Sequence, residues 1–436
     1  MTPAAARSRL AEEFRVIKRP LLTNARGKSA APIANANRIM VTSALPGEGK
    51  TYVSLNLAMS IAMELDTSVM KMAPLLRAFK ARSDLPRAVL VHTGQHYDFA
   101  LNERLFEDLQ LPSPDINLEV GSGSHAVQTA EVMKRFEPII DDFGPCCVMV
   151  VGDVNSTLAC SLVAAKKLVP VAHVEAGLRS FDRTMPEEVN RVLTDQIADL
   201  LYTTEHSALA NLVREGIAPD RVQFVGNLMI DSLFAALPKS ITATEVLKRE
   251  RLDPQLAHEP SGYGVVTLHR PSNVDEPAAL SNVLGILRAV SEQLPLIWPV
   301  HPRTRASIER LGLAHLIDGA PVVMLPPQGY LEMVGLMRGA RLALTDSGGV
   351  QEETTALGIP CLTMRSNTER PITLDQGTNV LVGSDRSRVL AAVRKIMSDG
   401  ASQGRVPEGW DGHAAERIAT HFAGWLVDRQ QTSRAA

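Results

Sequence analysis

Residues 346–353 read DSGGVQEE, a strand end, a two-glycine turn and a helix start. Free backbone N–H groups at a helix N-terminus, with the helix dipole behind them, attract phosphate. Gly348 and Gly349 let the backbone approach a ligand closely, and Ser347 adds a hydroxyl donor. A simple helix cap would account for Ser347 but has no use for a second glycine. Glu353 lies about one and a half turns into the helix, where it can accept from ribose hydroxyls. Arg370, in TERP (368–371), offers the fork that binds a diphosphate bidentately. A second cluster is acidic. Asp153 and Glu175 end neighbouring strand patterns, and Glu187 sits in RTMPEEVNR, in the first turn of a helix opened by Pro186. Three carboxylates on one cleft should repel one another and raise at least one pKa, which suits general acid–base work. His269, followed by Arg270, ends a strand of the second series and faces the same cleft.

These residues need a scaffold that brings strand ends together. Short apolar runs alternate with longer helical patterns from Lys71 onward. The first series of strands is expected at 88–92, 147–153, 171–176, 200–204 and 222–226. A second follows at 264–269, 296–301, 322–326, 342–346, 360–364 and 379–383, after a helix-and-linker stretch at 238–260. Strands separated by helices argue for parallel sheets with crossover helices. Two such series predict an α/β protein of two Rossmann-like, doubly wound domains, with ligands past the carboxyl ends of the strands. The last helix pattern, 413–429, puts Ile418, Phe422 and Trp425 on one face and should dock on a domain surface.

Composition narrows the function classes. The chain has 436 residues, 45% hydrophobic and 21% charged, with a net charge of −3. That balance gives no reason to expect nucleic-acid binding. Four cysteines without CxxC spacing suggest neither a structural zinc site nor a disulfide framework. A reduced, cytoplasmic setting is the expectation. Apolar runs are interrupted well before ~18 residues, so no membrane span is expected, and no metal or cofactor is called for.

TGQHYD (93–98), VGDVNST (151–157), HVEAGLRS (173–180), PEEVNR (186–191), LHR (268–270), HPRTR (301–305), DSGGVQEE (346–353) and TERP (368–371) together resemble the non-hydrolysing UDP-N-acetylglucosamine 2-epimerases. The resemblance implies a glycosyltransferase-B type fold and interconversion of UDP-N-acetylglucosamine and UDP-N-acetylmannosamine through elimination and re-addition of UDP. It implies Asp153, Glu175 and Glu187 as acid–base and cation-stabilising carboxylates, and His269 at the diphosphate or in proton transfer. It further implies Lys71, Ser347, Gly348, Gly349, Glu353 and Arg370 as substrate-binding, with Gln328 and Met333 beside the uracil. Met333 stands where family members usually carry an aromatic. Gln95, His96 and His301 resemble residues of a regulatory second substrate site. The implied partners are UDP-N-acetylglucosamine and UDP, and a homodimer. Two alternatives stay open: a hydrolysing relative that releases N-acetylmannosamine, and an inert UDP-sugar-binding fusion.

The N-terminus departs from that pattern. KMAPLLRAF (71–79) matches the end of the family's first strand-loop-helix motif, but the residues before it do not, and Asp66 falls where the family has an arginine. Residues 12–22 and 38–69 instead resemble bacterial tyrosine autokinases of polysaccharide export. Their P-loop includes Gly49, Lys50 and Thr51, the residue types that cradle phosphate and ligate Mg²⁺. The expected division is therefore an autokinase-like fragment at 1–69 and a first Rossmann-like domain at 70–237 lacking its usual first strand. A UDP-binding domain at 238–411 and a C-terminal helix and tail at 412–436 follow. Strand 38–44 is a candidate replacement for the missing strand, and loss of the arginine loop is expected to impair catalysis.

Overall fold

The computed structural model describes residues 65–94, 105–121, 123–399 and 404–435. The P-loop residues Gly49, Lys50 and Thr51, the strand expected at 38–44 and the candidate regulatory residues Gln95 and His96 lie outside the described residues.

The described chain starts with helix α1 (Leu65–Lys80). Two short strands follow, β1 (Val91–His92) and β2 (Ile116–Asn117), which pair in parallel. Helix α2 (His125–Phe143) leads to β3 (Val148–Val151), α3 (Asn155–Lys166), β4 (Val171–Val174) and α4 (Pro186–Ile197). Then come β5 (Leu200–Thr203), α5 (His206–Arg214), β6 (Val222–Phe224) and α6 (Leu228–Ala236). Strands β3 to β6 form one parallel sheet in chain order.

The second half adds α7 (Ala243–Arg249), β7 (Gly264–Thr267), α8 (Pro271–Val274) and α9 (Pro277–Ser291). Next are β8 (Leu296–Pro299), α10 (Pro302–Leu311), β9 (Val322–Leu325) and α11 (Tyr330–Arg338). The chain continues through β10 (Leu342–Thr345), α12 (Gly348–Leu357), β11 (Cys361–Thr363) and α13 (Pro371–Asp375). It closes with β12 (Asn379–Leu381), α14 (Arg386–Asp399) and α15 (Ala414–Ala435). Its six strands make one parallel sheet in the order β12-β11-β10-β7-β8-β9.

Parallel sheets covered on both faces need strands that are apolar on both faces. Accordingly β4, β5, β8 and β10 are buried along their whole length. Every strand expected from the sequence between residues 88 and 383 is present but shorter, β1 keeping only Val91–His92 of the 88–92 run. The exception in kind is β2, which the sequence does not announce. Two residues are too few to show a period, and its pairing rests on Asp115, whose carboxylate accepts from Leu90 N at 2.9 Å.

Helix α15 returns from the second half and docks on the first. Ile418 and Phe422 pack with Leu75 of α1, Val174 of β4 and Tyr202 of β5. Phe422 meets Phe79 with ring centroids 5.6 Å apart. Burying a side chain of that size stabilises by about 1.5–3 kcal/mol. Among the described residues, no helix is long and apolar enough to cross a membrane.

Candidate functional site

The strand ends do converge. Glu175 follows β4 with φ +73°, in the left-handed region that costs a residue with a Cβ about 1–2 kcal/mol. Partners on several sides hold it there. Its N–H and that of Ala176 donate to Tyr202 O at 3.0 Å. Its Oε1 accepts from Arg370 Nη2, from the second half, at 2.8 Å, and its Oε2 pairs with Lys71 Nζ of α1. Two residues on, Gly177 has φ +78°, and a Cβ there would meet Ala208 O at 2.8 Å.

Arg370 is the hub. Besides Glu175, its Nε lies 2.7 Å from Glu352 Oε1 of α12, which also accepts from Asn227 Nδ2 at 2.9 Å. Arg370 Nη1 and Arg270 Nε are buried and have no hydrogen-bond partner among the described residues. Asp153, after β3, pairs with Arg191 Nη2 of α4 at 2.6 Å. Arg191 also holds Glu188 at 2.7 Å, and Asn190 Nδ2 donates to Asp153 O at 2.9 Å. Asp153 acts on Arg370 electrostatically, so both halves share one charged centre.

The expected mutual repulsion of carboxylates is overturned for Glu175. Burial alone would raise its pKa, but Lys71 and Arg370 reverse that and hold it below the usual carboxylate range. Glu175 is therefore an anion. Glu187 occupies the first turn of α4 behind Pro186, as its sequence predicts. Among the described residues, no hydrogen bond or ion pair ties it to the Arg370 network.

In the second half, Asp346 organises the loops. It accepts from His269 N at 3.1 Å, Arg270 N at 2.9 Å and Asn273 Nδ2 at 3.0 Å. His269 Nδ1 lies 3.2 Å from Asp346 Oδ1. Burial lowers the His269 pKa, with Asp346 opposing. His301 sits 5.5 Å from His269, ring to ring, and burial with that neighbour pushes it down to about 4. Ser347 precedes α12, and its side chain makes no capping hydrogen bond. A Cβ on Gly348 would lie 2.9 Å from Glu369 Oε1, so the approach at that turn is indeed close. Glu369 pairs with Arg365 at 2.7 Å and, more loosely, with Arg270 at 3.7 Å.

Other expected site residues spread further. Glu353 accepts from Tyr330 Oη at 2.8 Å, and burial pushes its pKa up to about 7. Gln328 Nε2 donates to Glu250 Oε1 at 3.0 Å. Met333 is half-buried against the core that holds Tyr330 and Val334. Among the described residues, no group of three or more His, Cys, Asp or Glu is placed to hold a metal ion.

Sequence reasoning missed Arg191, Glu352 and Glu369. Arg191 had a legible signal, standing one helical turn after Glu187 and Glu188. It also missed His173 and Asp195 beneath the site. His173 Nδ1 lies 2.6 Å from Asp195 Oδ1 and its Nε2 lies 2.8 Å from Gly152 O. Both partners are acceptors, so both ring nitrogens carry protons. Burial alone would lower that pKa, but Asp195 raises it.

Two Rossmann-like sheets of parallel strands, with charged strand ends meeting across the cleft, define the glycosyltransferase-B type architecture. The chain belongs to the UDP-N-acetylglucosamine 2-epimerase family, whose model matches residues 77–423. A solved Methanocaldococcus jannaschii UDP-GlcNAc 2-epimerase, in complex with UDP-GlcNAc and UDP, superimposes with a TM-score of 0.72 at 38% identity. That match covers 81% of this chain and 96% of the other. The curated UDP-N-acetylglucosamine 2-epimerase of the same organism is 39% identical, over 83% of this chain and 97% of its own length. A UDP-2,3-diacetamido-2,3-dideoxy-D-glucuronate 2-epimerase of Pseudomonas aeruginosa is also 39% identical, over 77% of this chain and 91% of its own length.

Proposed function

We propose that this chain is an isomerase acting on carbohydrates, which interconverts UDP-N-acetylglucosamine and UDP-N-acetylmannosamine. The observation that carries the reading is the 2.8 Å bond between Glu175 of the first half and Arg370 of the second. It puts an anion suited to a cation-like sugar beside a guanidinium suited to a diphosphate. In this reading the C1–O bond to UDP breaks as the C2 proton passes to a carboxylate. A 2-acetamidoglucal and UDP result, and re-addition with protonation of the other face inverts C2. Glu175, held ionised, stabilises positive charge at C1. Asp153 and Glu187 exchange the proton. Arg370 Nη1, Arg270 and the Ser347–Gly349 turn receive the diphosphate, and His269 accompanies it. Lys71 keeps Glu175 charged, Glu353 takes a ribose hydroxyl, and Gln328 and Met333 flank the uracil.

The same reading divides the chain at 69, 237 and 411, places the enzyme in the cytoplasm as a homodimer, and gives His301 a regulatory role. The sequence at 1–69 resembles an autokinase fragment but lacks the paired aspartates of a kinase, so it contributes no phosphotransfer. Incubation with UDP-N-acetylglucosamine in D₂O tests the main reading by NMR at C2. Deuterium at C2 with both epimers present is expected. Free N-acetylmannosamine, or no exchange at high enzyme concentration, would overturn it. Offering UDP-2,3-diacetamido-2,3-dideoxy-D-glucuronate in competition checks the sugar preference, with slower turnover of that sugar expected.

A further inference from the structure

Asp153 and Glu175 stand on separate loops, after β3 and β4. One buried side chain reaches the backbone of both. His173, the third residue of β4, is fully buried. Its Nε2 donates to Gly152 O at 2.8 Å, one residue before Asp153. Its Nδ1 donates to Asp195 Oδ1 of α4 at 2.6 Å. The other oxygen of Asp195 accepts from Gly177 N at 3.1 Å, two residues after Glu175, and pairs with Arg179 Nη2 at 2.7 Å. Glu215 in turn accepts from Arg179 Nε at 2.8 Å. A path of short polar contacts therefore runs from the loop of one acid, through His173 and Asp195, to the loop of the other.

Both loops need such a hold. Gly152 has φ +75° and Glu175 φ +73°, so each turns sharply through the left-handed region at its strand end. Gly152 N donates to Val174 O at 3.0 Å, and His173 takes the carbonyl of the same residue. The peptide that leads into Asp153 is thus fixed to β4 at both its neighbours. A charged ring amid apolar strand residues is a costly route to stability, because burying an ion pair costs about what the pair gains. It is an effective way to set a distance, because short charge-assisted bonds on a rigid ring leave little play.

We propose that His173 is a positioning residue for the C2 reaction: its ring, clamped between Gly152 O and Asp195, sets the spacing of Asp153 and Glu175. The proposal rests on the reading of those two residues as acids of that reaction. Charge agrees with the geometry. Burial alone would raise the Asp195 pKa, but His173 and Arg179 hold it below the usual carboxylate range, so both its oxygens accept. Gly152 O can only accept, so the ring donates at both nitrogens and is an imidazolium. Burial opposes that charge, while Asp195 and Glu175 favour it. The Ser347–Gly349 turn and Arg270, which receive the diphosphate, lie in the second half. Loss of His173 should therefore fall on the chemical step and spare UDP binding.

Nitrogen-15 NMR of the histidine-labelled full chain tests the clamp without substrate. One buried ring should show N–H signals from both nitrogens at neutral pH, persisting in D₂O after those of exposed histidines have vanished. A His173 nitrogen without a proton would overturn the proposal. His173→Gln should lower kcat on the order of 100-fold, the cost of misplacing reacting groups by about 1 Å. KM and UDP affinity should stay within about threefold, the mark of an interaction felt only in the transition state. Unchanged kcat, or a KM and UDP affinity that weaken in step with it, contradicts the assigned role. Adding Asp195→Asn to His173→Gln rebuilds the path, because the asparagine amide donates to the glutamine carbonyl while its own carbonyl accepts from Gly177 N. That double variant should recover kcat by ~10-fold over His173→Gln alone, as expected of neighbours in one network; no recovery counts against the clamp. If His173→Gln does not fold, Asp195→Asn alone carries the kinetic test, with the same split expected. Absence of C2 exchange in the wild-type enzyme would remove the underlying reading, whereas a singly protonated His173 ring in an active enzyme would remove the clamp alone.

Discussion

The two halves hang their site residues on parallel strands of similar length, but they secure those strands differently. In the second half, β7 sits in mid-sheet between β8 and β10, and the loop after it is tied to Asp346 by several hydrogen bonds. In the first half, β3 has a ladder partner on one side only among the described residues, and Asp153 and Glu175 are steadied by charge: Arg191, Lys71 and Arg370. Where the sheet is continuous, backbone and amide N–H groups donating to one buried carboxylate position the loop. Around Asp153 and Glu175 ion pairs do that work, and one of them reaches into the other half. Buried ion pairs contribute little net stability but are costly to break singly.

Glu175→Gln is the harshest way to break this contrast. It leaves Lys71 and Arg370 buried without their shared anion, a loss of about 3–5 kcal/mol. Chemical denaturation should show that loss, and C2 exchange should disappear. Phe422→Ala tests whether the first half needs α15 as well. Removing a buried phenylalanine costs about 3–5 kcal/mol, and the loss should appear as a lower midpoint with protection falling first at β4 and β5.

Glu353→Gln sharpens the view of the second half. Its folded pKa of about 7 stands above the ordinary carboxylate value. Between those two values the folded state binds the extra proton, so stability falls as pH rises and the full penalty is present above the folded pKa. The cost reaches roughly 3 kcal/mol at high pH. The glutamine variant should lose that slope in a series of denaturation curves across pH, while an unchanged slope would clear Glu353 of it. Ile297→Val gives the smallest effect. Ile297 is fully buried in β8, and the change should cost about 0.5–1.5 kcal/mol.

Much of this was legible from residues alone. Parallel strands buried on both faces leave short apolar runs, so β3 to β12 could be read directly. Polar residues just past those runs pointed to Asp153, Glu175, His269 and Ser347. What stayed hidden was pairing. Glu175 and Arg370 are 195 residues apart, and nothing local ties them. The direction of the Glu175 shift depends on those same distant partners. Acids on one cleft suggest repulsion until Lys71 and Arg370 are seen on either side of Glu175. His173 looked like one more strand residue, because its two acceptors come from other elements.

The central claim is that one site is assembled from both halves, and the Glu175–Arg370 contact is its most exposed point. A double-mutant cycle with Glu175→Gln and Arg370→Gln, read by denaturation and by UDP affinity, tests it most directly. A coupling of at least about 1.5 kcal/mol is predicted, with the double variant losing much less than the two single losses combined. Strictly additive losses in both readouts would mean that the halves do not meet in a common site.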